Sequence, residues 1–233
     1  MVEDGVIIDP GHGGTDPGAS GNGIIEEHYT LATSMYMYNR FKQLGVPVKI
    51  TRTTDKTLEP NERTKIIRNS GMKYCLSNHV NAGGGDGAEI IHSAFSAQGK
   101  KLGNEIAAEL KKCGQNVRKV YSRKNSKGTD YYFIQRETGS VTSLIVEYGF
   151  LDSKADDVEQ LKKDQFEFAE AVVKAFCEFI GVKYVAPAKE KEKETEKDSD
   201  LLKVQVGAFE SKENAEKLKE ELIKKGYKAY ITK

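Results

Sequence analysis

The chain has 233 residues, enough for one domain of ordinary size with a small appendage. Its 36 lysines and arginines are balanced by 35 acids, and with no basic arm this argues against a nucleic-acid partner held by counterion release. No apolar stretch approaches the ~20 residues that cross a bilayer, so a membrane is not an expected partner either. The three cysteines, Cys75, Cys113 and Cys177, stand far apart without a CxxC pair and read as small buried hydrophobes.

Val6-Ile7-Ile8, ended by Pro10-Gly11, predicts a buried strand feeding a turn, and a glycine-rich loop follows to Gly23. From Glu26 to Leu44, Leu31, Met35, Tyr38 and Phe41 or Lys42 recur at helical spacing, with acids in the first turn where the helix dipole favours them. A strand is expected over Val46 to Thr51, a short helix over Asn61 to Asn69 and another strand over Tyr74 to Ser77. Gly83 to Gly87 connects to an extended segment, Ala88 to Phe95, and Ala97 to Cys113 reads as a helix. Tyr131 to Gln135 and Leu144 to Val146 are expected to complete the strands, and Asp157 to Ile180 to form one long amphipathic helix ended by Gly181. This alternation predicts an α/β domain, a twisted mixed sheet flanked by helices, over residues 1–185.

After Val185 the composition changes. Residues 186–200 are a run of alternating lysines and acids with almost nothing to bury, which predicts a solvated linker. Beyond it, residues 201–233 read as a small β-α-β unit: Leu202, Val204 and Val206 alternate as a strand, Ser211 can cap a helix, and Tyr227 to Ile231 form a second strand. One such unit is below the ~40 residues that usually fold unaided, so something must complete it.

Two histidines stand where strands end. His12 lies among Gly11, Gly13 and Gly14, and His79 between Asn78 and Asn81. A catalytic zinc site takes three nitrogen or oxygen ligands and leaves one position for water. A lone histidine is as readily structural, and no HExxH helix is present, so spacing leaves both roles open. Glu26 and Glu27 at the mouth of the first long helix are the carboxylate candidates, against a plain dipole-complementing role, and periodicity does not choose between them. His28 and His92 lack such a setting and read as structural. Glu147 closes the run Leu144-Ile145-Val146, and an ionisable residue there is either paired, with Arg52, Arg63 or Arg136, or a proton-transfer group.

Together these segments resemble the zinc-dependent N-acetylmuramoyl-L-alanine amidases of the type 3 family, which cleave the amide between muramic acid and the stem peptide of peptidoglycan. The resemblance runs over residues 4–181 and is carried by Ile8-Asp-Pro-Gly-His-Gly-Gly-Thr-Asp-Pro-Gly-Ala19, Gly23-Ile-Ile-Glu-Glu27 with Leu31 after it, Thr51-Arg-Thr-Thr-Asp55, Asn61-Glu-Arg63, Leu76-Ser-Asn-His-Val-Asn-Ala82 and Ile145-Val-Glu-Tyr-Gly-Phe-Leu151. It implies Zn2+ held by His12, Glu26 and His79, and a catalytic glutamate at Glu147. Glu26 is preferred to Glu27 because the family's ligand follows the loop glycine by three residues and precedes a leucine by five, here Gly23 and Leu31. The sequence departs from the family at Asn78, often isoleucine there, and at Tyr148, often threonine.

Residues 201–233 resemble half of a SPOR domain, a family that binds glycan strands stripped of their peptides, so peptidoglycan is the expected partner of both parts. Two copies pairing through residues 201–233 would supply the missing half, and a homodimer is the expectation. The N-terminus shows no basic or apolar signal segment, so synthesis in the cytoplasm and action on the wall after release by lysis are expected, as for a phage endolysin or a sporulation amidase. The rival readings are a non-catalytic peptidoglycan-binding protein and a zinc peptidase cutting within the stem peptide.

Overall fold

Each apolar run of the sequence becomes a strand or the buried face of a helix. In chain order the computed structural model has β1 (Glu3–Pro10), β2 (Ser20–Gly21), β3 (Ile24–Ile25), α1 (Glu26–Gln43), β4 (Val48–Ile50), α2 (Pro60–Arg68), β5 (Met72–Asn81) and β6 (Ala88–His92). There follow α3 (Ala97–Lys112), β7 (Val117–Tyr121), α4 (Phe133–Arg136), β8 (Thr142–Phe150), α5 (Asp157–Lys163), α6 (Gln165–Phe179) and α7 (Lys212–Lys224). The structure describes residues 3–188, 206–207, 211–224 and 229–231. The chain divides into two units, Met1–Pro187 and Ala188–Lys233.

The first unit is the expected mixed sheet between helices. Its six strands lie in the order β4-β1-β5-β8-β6-β7. The pairs of β1 with β4 and β5, of β5 with β8 and of β6 with β7 are parallel, and only β6 with β8 is antiparallel. Side chains alternate across a strand, so the sheet has two different faces. Val6 and Ile8 of β1, Tyr74 and Leu76 of β5, and Leu144, Val146 and Tyr148 of β8 enter the large core with residues of α1, α3 and α6. Ile7, Cys75 and Ile145, one step along each strand, enter a smaller cluster with Ile67 of α2 and Ile134 of α4. The thinner face is the one that carries polar residues toward the strand ends.

Four expectations are corrected. Tyr131 to Gln135 is not a strand: Phe133–Arg136 is a single helical turn, α4, and the edge of the sheet is taken by β7. The Gln135 side chain donates to the Ile91 carbonyl at 2.9 Å and Ile134 is buried, so tertiary anchoring overrides the β propensity of Tyr-Tyr-Phe-Ile. β7 escaped notice because, half exposed at the edge, Val-Arg-Lys-Val-Tyr does not alternate cleanly. The long helix over 157–180 is two helices, α5 and α6, parted at Asp164, a residue type that favours helix ends over interiors.

The fourth correction concerns α1. Its buried face is Thr30, Thr33, Ser34, Met37 and Phe41 rather than Leu31, Met35 and Tyr38, which are only partly buried. Short hydroxyl side chains let this helix approach the strands closely and bond into them, as Thr30 Oγ1 does with the Gly11 carbonyl at 2.8 Å.

The two departures from the family pattern meet in the core. Tyr148 donates through its hydroxyl to Asn78 Oδ1 at 3.0 Å, and Asn78 Nδ2 donates to Ser34 Oγ at 2.7 Å. All three residues are fully buried, so each polar group removed from water finds its partner in another.

In the second unit, α7 forms where the helix after Ser211 was expected, and none of its residues is buried. From residue 189 the expected linker lies outside the described residues, as do most of the two expected strands around α7 and the pairing of copies that depends on them.

Asp157 fastens the C-terminal end of β8 to the segment that enters β6. Its Oδ2 accepts from the backbone N–H groups of Gly87 and Phe150, each at 2.7 Å, and its Oδ1 from Gln115 Nε2 at 3.2 Å. Asp157→Ala leaves two buried N–H donors without partners. At about 1–3 kcal/mol for each, a loss of about 2–6 kcal/mol is expected, read from the urea midpoint at constant m-value.

Candidate active site

The parity of the strands sets where the polar groups emerge. Parallel pairing aligns Asp9 with Ser77, Ser77 with Ile145 and His79 with Glu147, so Asp9, Ser77, His79 and Glu147 all project from the thinner face at the C-terminal ends of β1, β5 and β8. Helix α2, helix α4 and the loop before α2 cover that face incompletely and leave a cavity of about 390 Å³. Its lining includes His12, Asp16, Arg63, His79, Tyr132, Phe133 and Glu147.

His12 lies just past β1 with a left-handed backbone, φ 58°, unusual for a residue with a side chain. The turn is held by two buried arginines. Arg63 donates to Asp9 Oδ1 at 2.6 Å, to the Pro10 carbonyl at 2.7 Å and to the His12 carbonyl at 2.8 Å. Arg52 donates to the carbonyls of Gly11 at 2.9 Å and Glu27 at 3.3 Å, tying the turn to the first residues of α1. The glycines of the loop have steric reasons: a Cβ at Gly11 would strike the His79 ring, and one at Gly18 would strike the Glu26 carboxylate and the His12 ring.

Three donor groups converge there. Glu26 Oε1 is 3.1 Å from His12 Nε2 and 3.0 Å from His79 Nδ1. The backbone N–H of Val80 donates to the same Oε1 at 3.1 Å and that of Ala19 to Oε2 at 2.9 Å, which fixes the carboxylate. His12 Nδ1 lies 2.8 Å from Asp16 Oδ2, which turns Nε2 inward. Burial opposes charge on His12, but hydrogen bonds and attraction from Glu26 and Asp16 outweigh it and raise the ring to about 9. Burial also opposes charge on Glu26, and hydrogen bonds from the two imidazoles hold its carboxyl well below the usual range.

His12, Glu26 and His79 present one ligand atom each, all within 4.8 Å of one another, and could hold a metal ion. Two imidazole nitrogens and one carboxylate oxygen, with His12 oriented from behind by Asp16 and one side open to a cavity, are a donor set that suits a catalytic divalent ion. Glu27, the other carboxylate candidate, turns away toward Asp55 and His28, and burial and Asp55 raise its carboxyl. His28 is exposed, and buried His92 meets the Ser93 carbonyl through Nδ1 at 2.9 Å.

Glu147 stands beside this group without a Lys or Arg partner among the described residues. Of the three arginines that might have paired with it, Arg52 and Arg63 hold the turn and Arg136 meets Glu137 at 2.9 Å. Its Oε2 is buried and accepts no hydrogen bond, while the residue still opens on the cavity. Burial, partly offset by His79, raises its carboxyl to about 7. Asp16, Tyr132 and Phe133 were not singled out from sequence. Asp16 carried a signal, four residues after His12 inside the same loop, but the aromatic pair carried none, lying in a segment read as a strand.

These features define an α/β hydrolytic enzyme with its polar cleft at the strand ends. The chain belongs to the N-acetylmuramoyl-L-alanine amidase family, whose model matches residues 6–178, and a SPOR domain matches residues 198–233. Among its relatives, the N-acetylmuramoyl-L-alanine amidase CwlM of Bacillus licheniformis is 32% identical over 97% of this chain and 83% of its own length. The sporulation-specific N-acetylmuramoyl-L-alanine amidase of Bacillus subtilis is 31% identical with the same coverage. In structure, the catalytic domain of CwlV, an amidase from Bacillus (Paenibacillus) polymyxa, superposes with a TM-score of 0.67 at 25% identity, over 78% of this chain and all of that one. The activity is that of a peptidoglycan amidase.

Replacing Arg63 by Met strands the Asp9 carboxylate, which is 1% exposed, without its cation. A loss of about 3–5 kcal/mol is expected in chemical denaturation. Arg63→Lys recovers only part of it, because an ammonium cannot serve Asp9 and the carbonyls of residues 10 and 12 in the same planar geometry.

Proposed function

We propose that the protein hydrolyses the amide between N-acetylmuramic acid and L-alanine with a zinc ion held by His12, Glu26 and His79, and with Glu147 as general base and acid. The observation that carries this reading is the convergence of two imidazoles and a carboxylate beside Glu147, which lines the same cavity and whose carboxylate has a buried oxygen without a partner. Bound there, zinc would supply a Lewis acid that polarises the lactyl carbonyl and acidifies a water molecule.

The chain's own groups do the rest. Glu147 accepts a proton from the attacking water as the new carbon–oxygen bond forms, and returns it to the alanine nitrogen as the carbon–nitrogen bond breaks. Its side chain lines the cavity, and burial raises its carboxyl to about 7, where it can both take and return a proton. Asp16 holds the His12 ring so that Nε2 faces the other two ligands, and the N–H groups of Ala19 and Val80 hold the Glu26 carboxylate. Tyr132 and Phe133 form an apolar wall of the cavity that limits water around the scissile bond.

The SPOR domain supports a peptidoglycan partner for residues 198–233 as well. The proposed setting is a wall reached when the producing cell lyses, and similarity to a sporulation-specific amidase supports sporulation beside the endolysin setting. Detection of the protein outside intact growing cells by immunoblot would remove lysis from this account.

Two measurements test the chemistry. In titration calorimetry the wild type and Glu147→Gln should each bind one zinc ion, whereas Glu26→Ala should lose at least tenfold in affinity; equal affinity for Glu26→Ala would reject the ligand set. On purified peptidoglycan, the zinc-loaded wild type should release L-alanine amino termini and Glu147→Gln should be slower by about 10²–10⁴-fold. Termini from farther along the stem would make it a peptidase, and full activity in Glu147→Gln would reject the base.

A further inference from the structure

The loop between β7 and α4 has no part in the metal group, yet it is built stiffly. Asn125 accepts at Oδ1 from the N–H groups of Lys127 and Thr129 and donates from Nδ2 to Thr129 Oγ1 at 2.8 Å. Asp130, 4% exposed, accepts from Ser93 Oγ at 2.6 Å and from the Ala94 N–H at 2.8 Å, which fastens this loop to the one after β6. Arg136 donates to the carbonyls of Asp130 and Tyr131 at 2.9 and 2.8 Å.

This frame presents aromatic rings and cations together. Phe95 and Tyr131 are 64% and 46% exposed. Arg123 lies 3.8 Å over the Tyr131 ring, and Lys124 lies 4.7 Å over the Phe95 ring. From Arg118 to Lys127 the chain carries five cations and no acid. Arg118 and Lys119 meet buried Glu89, each at 3.4 Å, whereas Arg123, Lys124 and Lys127 make no ion pair among the described residues. The patch continues into the cleft: Tyr131 packs edge-on against Tyr132 at 5.1 Å, and Tyr132 lines the cavity beside Glu147.

We propose that this loop is a subsite for the stem peptide, with Arg123 and Lys124 binding its free carboxylates as the peptide leaves the cleft past Tyr132. The inference rests on the amidase reading and deepens it. A muramyl peptide has two ends: the N-acetylated glycan is uncharged, while the peptide carries carboxylates. Cations without acidic partners therefore select the peptide end, and rings beneath them hold the guanidinium and ammonium in place, lessening the entropy that binding would otherwise cost.

The test is binding, so that it does not depend on turnover. A fluorescently labelled soluble muramyl tetrapeptide whose scissile amide is replaced by a non-hydrolysable ketomethylene, and the same ligand with its carboxylates amidated, are titrated by anisotropy into zinc-loaded full-length protein. The subsite requires Arg123→Ala/Lys124→Ala to weaken the carboxylate ligand about tenfold, and wild type to bind the amidated ligand about that much more weakly, with no further loss in the variant. Lys162→Ala/Lys163→Ala on α5 removes the same charge elsewhere and should change neither. Equal binding by variant and wild type overturns the proposal, as does an equal loss for both ligands, which would assign the rings to the sugar. Equal loss in the α5 control would reduce the effect to net charge. The loop's own bonds use backbone atoms, Asn125 and Asp130, so the variant keeps its frame. Failure of the amidase chemistry appears separately, as absence of L-alanine termini from wild type.

Discussion

Everything at the site depends on how β1 leaves the sheet. The strand ends in a tight turn whose carbonyls, at residues 10 to 12, point inward where no strand can pair with them. Buried carbonyls without donors are costly, and two arginines supply the donors. The guanidiniums are themselves buried, and the Asp9 carboxylate, held also by Thr51 and Ser77, balances Arg63. Left-handed His12 is the product of this arrangement, and its ring reaches Glu26 only because the turn has that shape. A network of this kind tolerates little change, since removing any member leaves another buried and unpaired.

Above that frame, the chemistry follows from a contrast between two carboxylates. Glu26 meets two imidazoles and one backbone N–H at Oε1 and a second N–H at Oε2, and stays ionised. Glu147, one strand away, has a buried oxygen with nothing to accept from, and burial raises its carboxyl toward neutrality. In the proposed chemistry the first would hold a cation and the second would exchange a proton. The same face keeps an open cavity, because the helices on it are short: α2 has nine residues and α4 four, whereas α1, α3 and α6 seal the opposite face.

Much of this was legible in the sequence, and the places where it was not share a cause. The strands of the core and most of the helices were found because their signals are local: an apolar run, a helical spacing, a glycine stop. Tyr131 to Gln135 was misread because its local preference for extended structure loses to anchors on Ile91 and in the small cluster. Helix α1 was found but its face was not, since threonine and serine were buried where leucine and methionine were expected. The aromatic pair Tyr132 and Phe133 had no pattern at all, because a cavity wall is defined by what stands opposite it.

Local pattern alone was enough to place the nitrogen and oxygen donors at the ends of apolar runs and at the mouth of the first long helix and, through the resemblance of the motifs, to point to the amidase family. It took the packing of distant segments to turn Glu26 to the histidines and Glu27 to Asp55, and to leave Glu147 with no arginine. That packing also decided that Asn78 and Tyr148, two separate departures from the family pattern, satisfy each other. The reason is that periodicity is a property of neighbouring residues, whereas strand register and the partners of a buried polar group are fixed by pairing across the fold, between segments as far apart as β1, β5 and β8.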